Sequence, residues 1–244
     1  MELLNQEETL YKISETEERT FKEIISYKFT NSLTELNPLW INRNFKDFDN
    51  TPLKEVAGKL SSWDFINPII SSILSVQNGI GKSHLATCIY KKYVYDLIVE
   101  SFTRLTASED YLGYPDELRK WVNDKWKNQC YKKYEFLSEK KLALIIQDSF
   151  NNKSSSQYDI LENYCKLDFL VIDDCFSMKQ NEFARQNIFY IIDERAEWNN
   201  KPTFITSNLS IKEIADIDTR IADRIRNSMM FQITDKMESF RKKL

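Results

Sequence analysis

A single histidine, His84, in 244 residues leaves little material for a histidine-based metal centre or a Ser-His-Asp triad. The four cysteines, Cys88, Cys130, Cys165 and Cys175, form no C-x-x-C pair, which argues against a zinc ribbon. No apolar run nears the ~18 residues of a membrane span. The first residues, "MELLNQEETLYK", lack the basic start and apolar core of a signal peptide. Reduced thiols in a cytoplasmic protein are the expectation. Net charge is −3, so no global field draws the chain to nucleic acid or to a membrane, and any such surface must be local. What the chain does have is 42% hydrophobic and 13% aromatic residues, enough for one α/β domain with a full core and a short appendage.

Residues 1–42 hold eight acidic and four basic side chains and no glycine. Leu10, Ile13, Phe21, Ile24 and Ile25 recur at roughly helical spacing, which predicts one or two amphipathic helices. Such a stripe suits docking of a partner or packing on the protein's own core. "LNPLWINRNFKDFDNTP" reads as a linker punctuated by Pro38 and Pro52. Beyond it, apolar runs and helical patterns alternate. "NPIISSILSV", "KYEFLS", "LDFLVIDDCF", "KPTFITSNLS" and "MMFQIT" read as strands, "NNKSSSQ" as a polar loop, and "SIKEIADIDTRIADRIRNS" as a helical pair. This pattern predicts βαβ units: an α/β fold with a mostly parallel sheet and helices on both faces.

Two of the four glycines, Gly79 and Gly81, flank Ile80 and lead into Lys82 and Ser83 between a predicted strand and a predicted helix. Backbone N–H groups of Asn78, Gly79, Ile80 and Gly81 can turn inward there to cradle phosphate oxygens, where a Cβ would obstruct them. Lys82 supplies a cation for β and γ phosphates and Ser83 a hydroxyl for Mg²⁺, at a helix N-terminus that favours anions. The competing reading is a tight structural turn. "FLVIDD" then sets Asp173 and Asp174 at the end of a buried strand, where ligands bind in open α/β sheets. Asp173 suits a Mg²⁺ ion held through water and Asp174 the attacking water. The alternative is a solvated acidic strand end. "TFITSN" ends a further strand in Asn208, placed to sense a γ-phosphate. Arg220 and Arg224 share a helix face, with ion pairing to Asp216 or Asp223 as the plain alternative. For His84, packing or a local hydrogen bond is preferred to chemistry.

"NGIGKSHLA", "FLVIDDCF", "PTFITSNL", "RIADRI" and "SFRKK" stand in the order and spacing of the AAA+ ATPases of the bacterial helicase-loader group. That group holds DnaC/DnaI-like replication proteins and the IstB transposition ATPases, and the resemblance covers about residues 45–244. It implies a P-loop ATPase with a minimal C-terminal lid, since only 36 residues follow Asn208. It also implies ATP with Mg²⁺, and Lys82 and Ser83 as Walker A, with His84 in a position the group also fills with histidine. Asp173 and Asp174 become Walker B and Asn208 sensor 1. Arg224, with Arg220 second, matches the arginine finger that completes a neighbouring subunit's site. Arg241 matches the late arginine that senses bound nucleotide. The implied partners are a replicative hexameric helicase, single-stranded DNA and further copies of the chain, without a membrane; the IstB-like alternative is a transposition regulator. A small-molecule kinase on a P-loop scaffold is the rival from another class. Val76 departs from the group, which has the first loop glycine there. The expected domains are 1–42 as a docking segment and 43–244 as the ATPase, with an insertion at about 103–132.

Within that insertion and just beyond it, "RKWVNDKWKNQCYKKY", residues 119–134, has six basic side chains against Asp124, interleaved with Trp121, Trp126, Tyr131 and Tyr134. Cations tracking phosphates and aromatic faces stacking on bases hold single-stranded DNA. The alternative is that Trp121 packs in the core and the lysines form a solvated face.

Overall fold

The computed structural model describes residues 15–33, 36, 38–106, 134–151, 156–177, 182–234 and 237. Contacts divide the chain into two compact units, one of residues 1–35 and 94–131, the other of 36–93 and 132–244. In the first, helix α1 (Glu15–Ser32) buries Ile24 and is followed by the buried Leu33, and Phe29 meets Tyr95 edge to face at 5.6 Å. The docking reading of the N-terminal segment falls partly on residues 1–14, outside the described residues.

The second unit holds the sheet. In chain order it comprises α2 (Lys54–Ser61), β1 (Ile70–Leu74), the start of α3 (Lys82–Thr106), β2 (Tyr134–Ser138), α4 (Glu139–Asn151) and α5 (Gln157–Lys166). There follow β3 (Phe169–Cys175), α6 (Glu182–Asp193) with a π turn at Glu194–Trp198, β4 (Thr203–Ser207), α7 (Ile211–Ile217), α8 (Thr219–Arg226) and β5 (Met229–Gln232). The strand order is β2-β3-β4-β1-β5 and every pairing is parallel, so the α/β expectation holds.

β1 and β4 are buried along their whole length, as strands covered on both faces must be. On one face Tyr93 of α3 stacks on Phe169 at 4.4 Å, with Trp63, Phe65 and Phe204 beside it. On the other, Leu170, Ile172 and Ile205 form one core with Ile188, Ile191 and Ile192 of α6 and Ile221 and Ile225 of α8. Each such side chain contributes roughly 1.5–3 kcal/mol by leaving water.

Two segments differ from their sequence reading. The stretch read as a linker forms two short 3₁₀ turns, Pro38–Trp40 and Phe45–Phe48, with Leu36 and Phe48 buried. Asn44 caps the second turn: its side chain accepts from the Lys46 N–H while the Asp47 carboxylate accepts from the Asn44 N–H. Lys91 of α3 donates to the carbonyls of Ile41 and, at 2.7 Å, Arg43, which fastens this collar to the helix. The second difference is α5, which the sequence reading passed over. Ser156 and Asp159 form a reciprocal capping box at its start, a signal that was present in the sequence.

Candidate nucleotide-binding site

β1 delivers the chain to a loop, Ser75–Gly81, that opens into α3. Gly79 and Gly81 take φ of 78° and 100°, a region that costs other residues about 1 kcal/mol or more. Val76 stays out of that region and its side chain is 62% exposed, so the loop turns here without a glycine at that position. Ile80 is fully buried and pins the loop to the core, leaving its backbone rather than its side chain for a ligand. Lys82 is buried, and its ammonium donates to the carbonyls of Ser75 at 3.1 Å and Gln77 at 2.8 Å. The cation is thereby held inside the curve of the loop. Ser83 follows on the first turn of α3, where its carbonyl accepts from Thr87 Oγ1 at 2.8 Å.

The acidic pair lies at the C-terminal end of β3, where the β3–β4 register shifts between Ile172 and Cys175. Asp174 sits in the left-handed region with φ 57°. Such a conformation costs a non-glycine residue roughly 1–2 kcal/mol, and hydrogen bonds across to β4 offset it. The Asp174 N–H donates to Thr206 Oγ1 at 2.9 Å, and the same hydroxyl donates to Asp173 Oδ1 at 2.6 Å. The Asn208 carboxamide donates to the Asp174 carboxylate. Ser207 Oγ donates to the Cys175 carbonyl at 2.7 Å, closing the bulge. Thr206 therefore links Asp173 to the backbone of Asp174, and Asn208 is joined to the Asp174 carboxylate directly. In the sequence Thr206 is one residue of the strand run "TFITSN", with no local signal of this role.

Further groups surround this centre. Glu139, buried just past the C-terminal end of β2, accepts from Ser177 Oγ at 3.2 Å, and the preceding Ser138 pairs in register with Asp173. The Cys175 thiol is pushed well above its ordinary range, first by burial and then by Glu139, so it stays protonated. Arg43 on the collar lies over the Trp40 ring at 4.7 Å. Burial pulls its guanidinium down, opposed by the charges of Cys88, Asp173 and Asp47. His84 Nε2 meets Asp47 Oδ2 at 2.8 Å and its ring abuts Phe48 at 4.7 Å, the local packing expected of it.

The two arginines have partners other than those expected. Arg220 is 78% exposed at its side chain and pairs at 2.9 Å with Asp218, which caps α8. Arg224 is largely covered and pairs with Asp193 of α6 and, at 2.9 Å, with Glu197 of the π turn. Asp223, one of the expected partners, holds Arg226 instead, at 2.9 Å. Arg241 and the basic stretch 119–134, apart from Tyr134, lie outside the described residues.

Lys82, Asp173, Asp174 and Asn208 stem from the C-terminal ends of β1, β3 and β4, which are adjacent in the sheet. This end of a parallel sheet is where phosphate-bearing ligands bind. A hydroxyl on Ser83 and a carboxylate on Asp173 are hard oxygen donors, few in number, which fits Mg²⁺ held jointly by protein, water and phosphate. Among the described residues no helix is long and apolar enough to cross a membrane.

The family model of the bacterial DnaA ATPase domain matches residues 109–232. The replicative helicase loader DnaC of Escherichia coli K12 is 24% identical over 182 residues, covering 74% of this chain. The chain spans about 60% of that protein's length. Among solved structures, the DnaC helicase loader superposes with a TM-score of 0.53 at 17% identity, covering 81% of this chain and all of that one. The replication initiator DnaA bound to AMPPCP and single-stranded DNA gives 0.55 at 12% identity, covering 84% of this chain and 53% of that one. These likenesses share the parallel sheet described above and agree with the resemblance carried by the motifs. The glycine loop lies ahead of the family match, and the acidic strand end, Thr206, Asn208 and both arginines lie within it. The chain belongs to the family of bacterial DnaA ATPase domains and is a DnaC-like AAA+ protein.

Proposed function

We propose that this protein is an ATPase that loads a replicative hexameric helicase onto single-stranded DNA, in the cytoplasm and as an assembly of several copies. The observation that carries the ATPase reading is the Thr206-centred network: it fixes Asp173, Asp174 and Asn208 at the strand ends next to the glycine loop. The likeness to the DnaC loader supports the helicase and its DNA as partners.

In this reading the loop amides from Asn78 to Gly81 and the Lys82 ammonium bind the phosphates. Ser83 and Asp173 would hold Mg²⁺, which would supply positive charge to offset that of the phosphates. Asp174 accepts the proton of the attacking water while Asn208 orients that carboxylate. Electrostatic positioning of this kind is most of what phosphoryl transfer asks of a protein. Arg224, or the exposed Arg220, reaches a neighbouring copy's site and stabilises the transition state there. Slow turnover suits a protein whose hydrolysis resets a conformational state.

The test is a loading assay with the full chain, its hexameric helicase and circular single-stranded DNA. Wild-type protein with ATP should place helicase on the circles, and Asp174→Asn should bind ATP yet turn it over at least ~100-fold more slowly. Loading by wild type that is unaffected when ATP is omitted overturns the proposal.

A further inference from the structure

Gln77 is the third residue of the glycine loop, and its two ends hold different things. Its main-chain carbonyl accepts from the Lys82 ammonium at 2.8 Å. Its side-chain carboxamide makes a reciprocal pair with the main chain of Met237, 160 residues later: Oε1 accepts from the Met237 N–H at 2.9 Å and Nε2 donates to the Met237 carbonyl. The chain after β5 is already running beside β1, since the Ile233 N–H donates to the Leu74 carbonyl at 2.8 Å. The carboxamide thus serves Met237 as a neighbouring strand's peptide group would, and it extends the contact past the end of β5 to the loop itself.

We propose that Gln77 is a positioning residue of the phosphate loop, through which the seating of Met237 and nucleotide binding are coupled. This deepens the nucleotide-site reading above and rests on it. The physical reason is that Gln77 has little freedom to move one end alone. A phosphate that takes hydrogen bonds from Lys82 shifts the ammonium relative to the Gln77 carbonyl, and the carboxamide carries that shift to the Met237 main chain. Coupling of this kind is reciprocal: whatever the clamp adds to nucleotide affinity, nucleotide adds to the clamp. Val76, lacking glycine's freedom, stands between Ser75 and Gln77, so a splint on the next residue falls where the loop departs from its relatives.

The test is a double-mutant cycle on AMPPCP affinity, measured by titration calorimetry on wild type, Gln77→Ala, Met237→Pro and the double variant. Proline removes the Met237 N–H without touching the loop. Each single change should weaken binding roughly 3- to 10-fold, the worth of one or two part-exposed hydrogen bonds. The double variant should be no weaker than the worse single one, because both break the same link. Losses that multiply, or variants that bind as wild type does, overturn the proposal while leaving the nucleotide site standing. A wild type that takes no AMPPCP removes both.

Should Met237→Pro fail to fold, amide exchange supplies the second readout. Saturating AMPPCP should slow exchange at the Met237 amide in wild type and leave it unchanged in Gln77→Ala. Equal slowing in the two proteins overturns the coupling.

Discussion

The Thr206 hydroxyl donates to Asp173 at 2.6 Å while it accepts the N–H of Asp174, so one side chain of β4 holds the carboxylate of one acid of β3 and the backbone of the next. Thr206→Val keeps the shape and removes the hydroxyl. It leaves a buried carboxylate oxygen and a backbone N–H without that partner, at a cost of about 1–3 kcal/mol in denaturant unfolding. ATP turnover should fall at least ~10-fold, and Thr206→Ser, which keeps the hydroxyl, should recover most of both. Turnover that survives the valine change would show that the network does not position the acids.

Val76→Gly tests whether the departure from the glycine-first loop weakens the site. Val76 lies outside the left-handed region with its side chain in solvent, so glycine relieves no strain there. AMPPCP affinity should stay within about twofold of wild type, and stability should drop by about 0.5–1 kcal/mol from the added freedom of the unfolded chain. A large gain in affinity would mean that valine obstructs the loop. Lys82→Ala, in the same titration, should abolish measurable binding.

Arg224 is held by Asp193 and Glu197 of its own chain, whereas Arg220 stands in solvent beside Asp218. With Arg224 as the finger, Arg224→Ala lowers turnover of the assembled protein ~10³-fold or more and leaves nucleotide affinity of dilute protein unchanged. Mixing Arg224→Ala with Lys82→Ala should restore part of the activity, because each supplies the group the other lacks. If only Arg220→Ala behaves in this way, the finger is the exposed arginine.

Among the described residues no carboxylate pairs with buried Arg195. It donates instead to Thr203 Oγ1 and to the carbonyls of Tyr164, Cys165, Leu167 and Pro202, four of the five bonds at 2.7–2.8 Å. Burial pulls its pKa down to about 10. Arg195→Met removes the one donor that serves all five acceptors and should cost about 3–5 kcal/mol in denaturant unfolding. Lysine, with one compact ammonium, cannot reach five acceptors and should rescue little.

His84 gives the pH test. Burial lowers its pKa below 6.5, against the opposing pull of Asp47. A base with a lowered folded-state pKa binds fewer protons folded than unfolded, so stability is full above pH 6.5 and is lost as pH falls through the folded-state value. Thermal midpoints of wild type should drop over that window more than those of His84→Gln. Parallel curves for the two proteins would count against the burial account.

The parts of this fold that were legible in the sequence are those whose burial is complete along a run of residues. "ISSIL", "FLVIDDC" and "TFITS" read as strands because both faces are covered, and the glycine loop and strand-end acids read as a site because their chemistry is local. The collar at 36–53 was not legible. Its polar residues and two prolines have the composition of a linker, and the burial of Phe48 and the Asp47–His84 contact are tertiary events. Thr206 was hidden for a related reason: its role exists only through the β3–β4 register and the bulge at Asp174. The partners of Arg224 lie 27 and 31 positions earlier in the chain, beyond the reach of helical spacing rules.

The place of β1 in the sheet has a consequence for biosynthesis. Its two neighbours, β4 and β5, begin at residues 203 and 229. A ribosome that has made the first 200 residues therefore carries the parent strand of the glycine loop with neither edge paired, while β2 and β3 already have each other. Closing contacts so distant in sequence is slow, and an unpaired apolar strand invites association with other chains. The candidate site is thus completed only after residues 203–232 are made, and a product truncated before residue 203 carries the whole glycine loop without the strands that shape it.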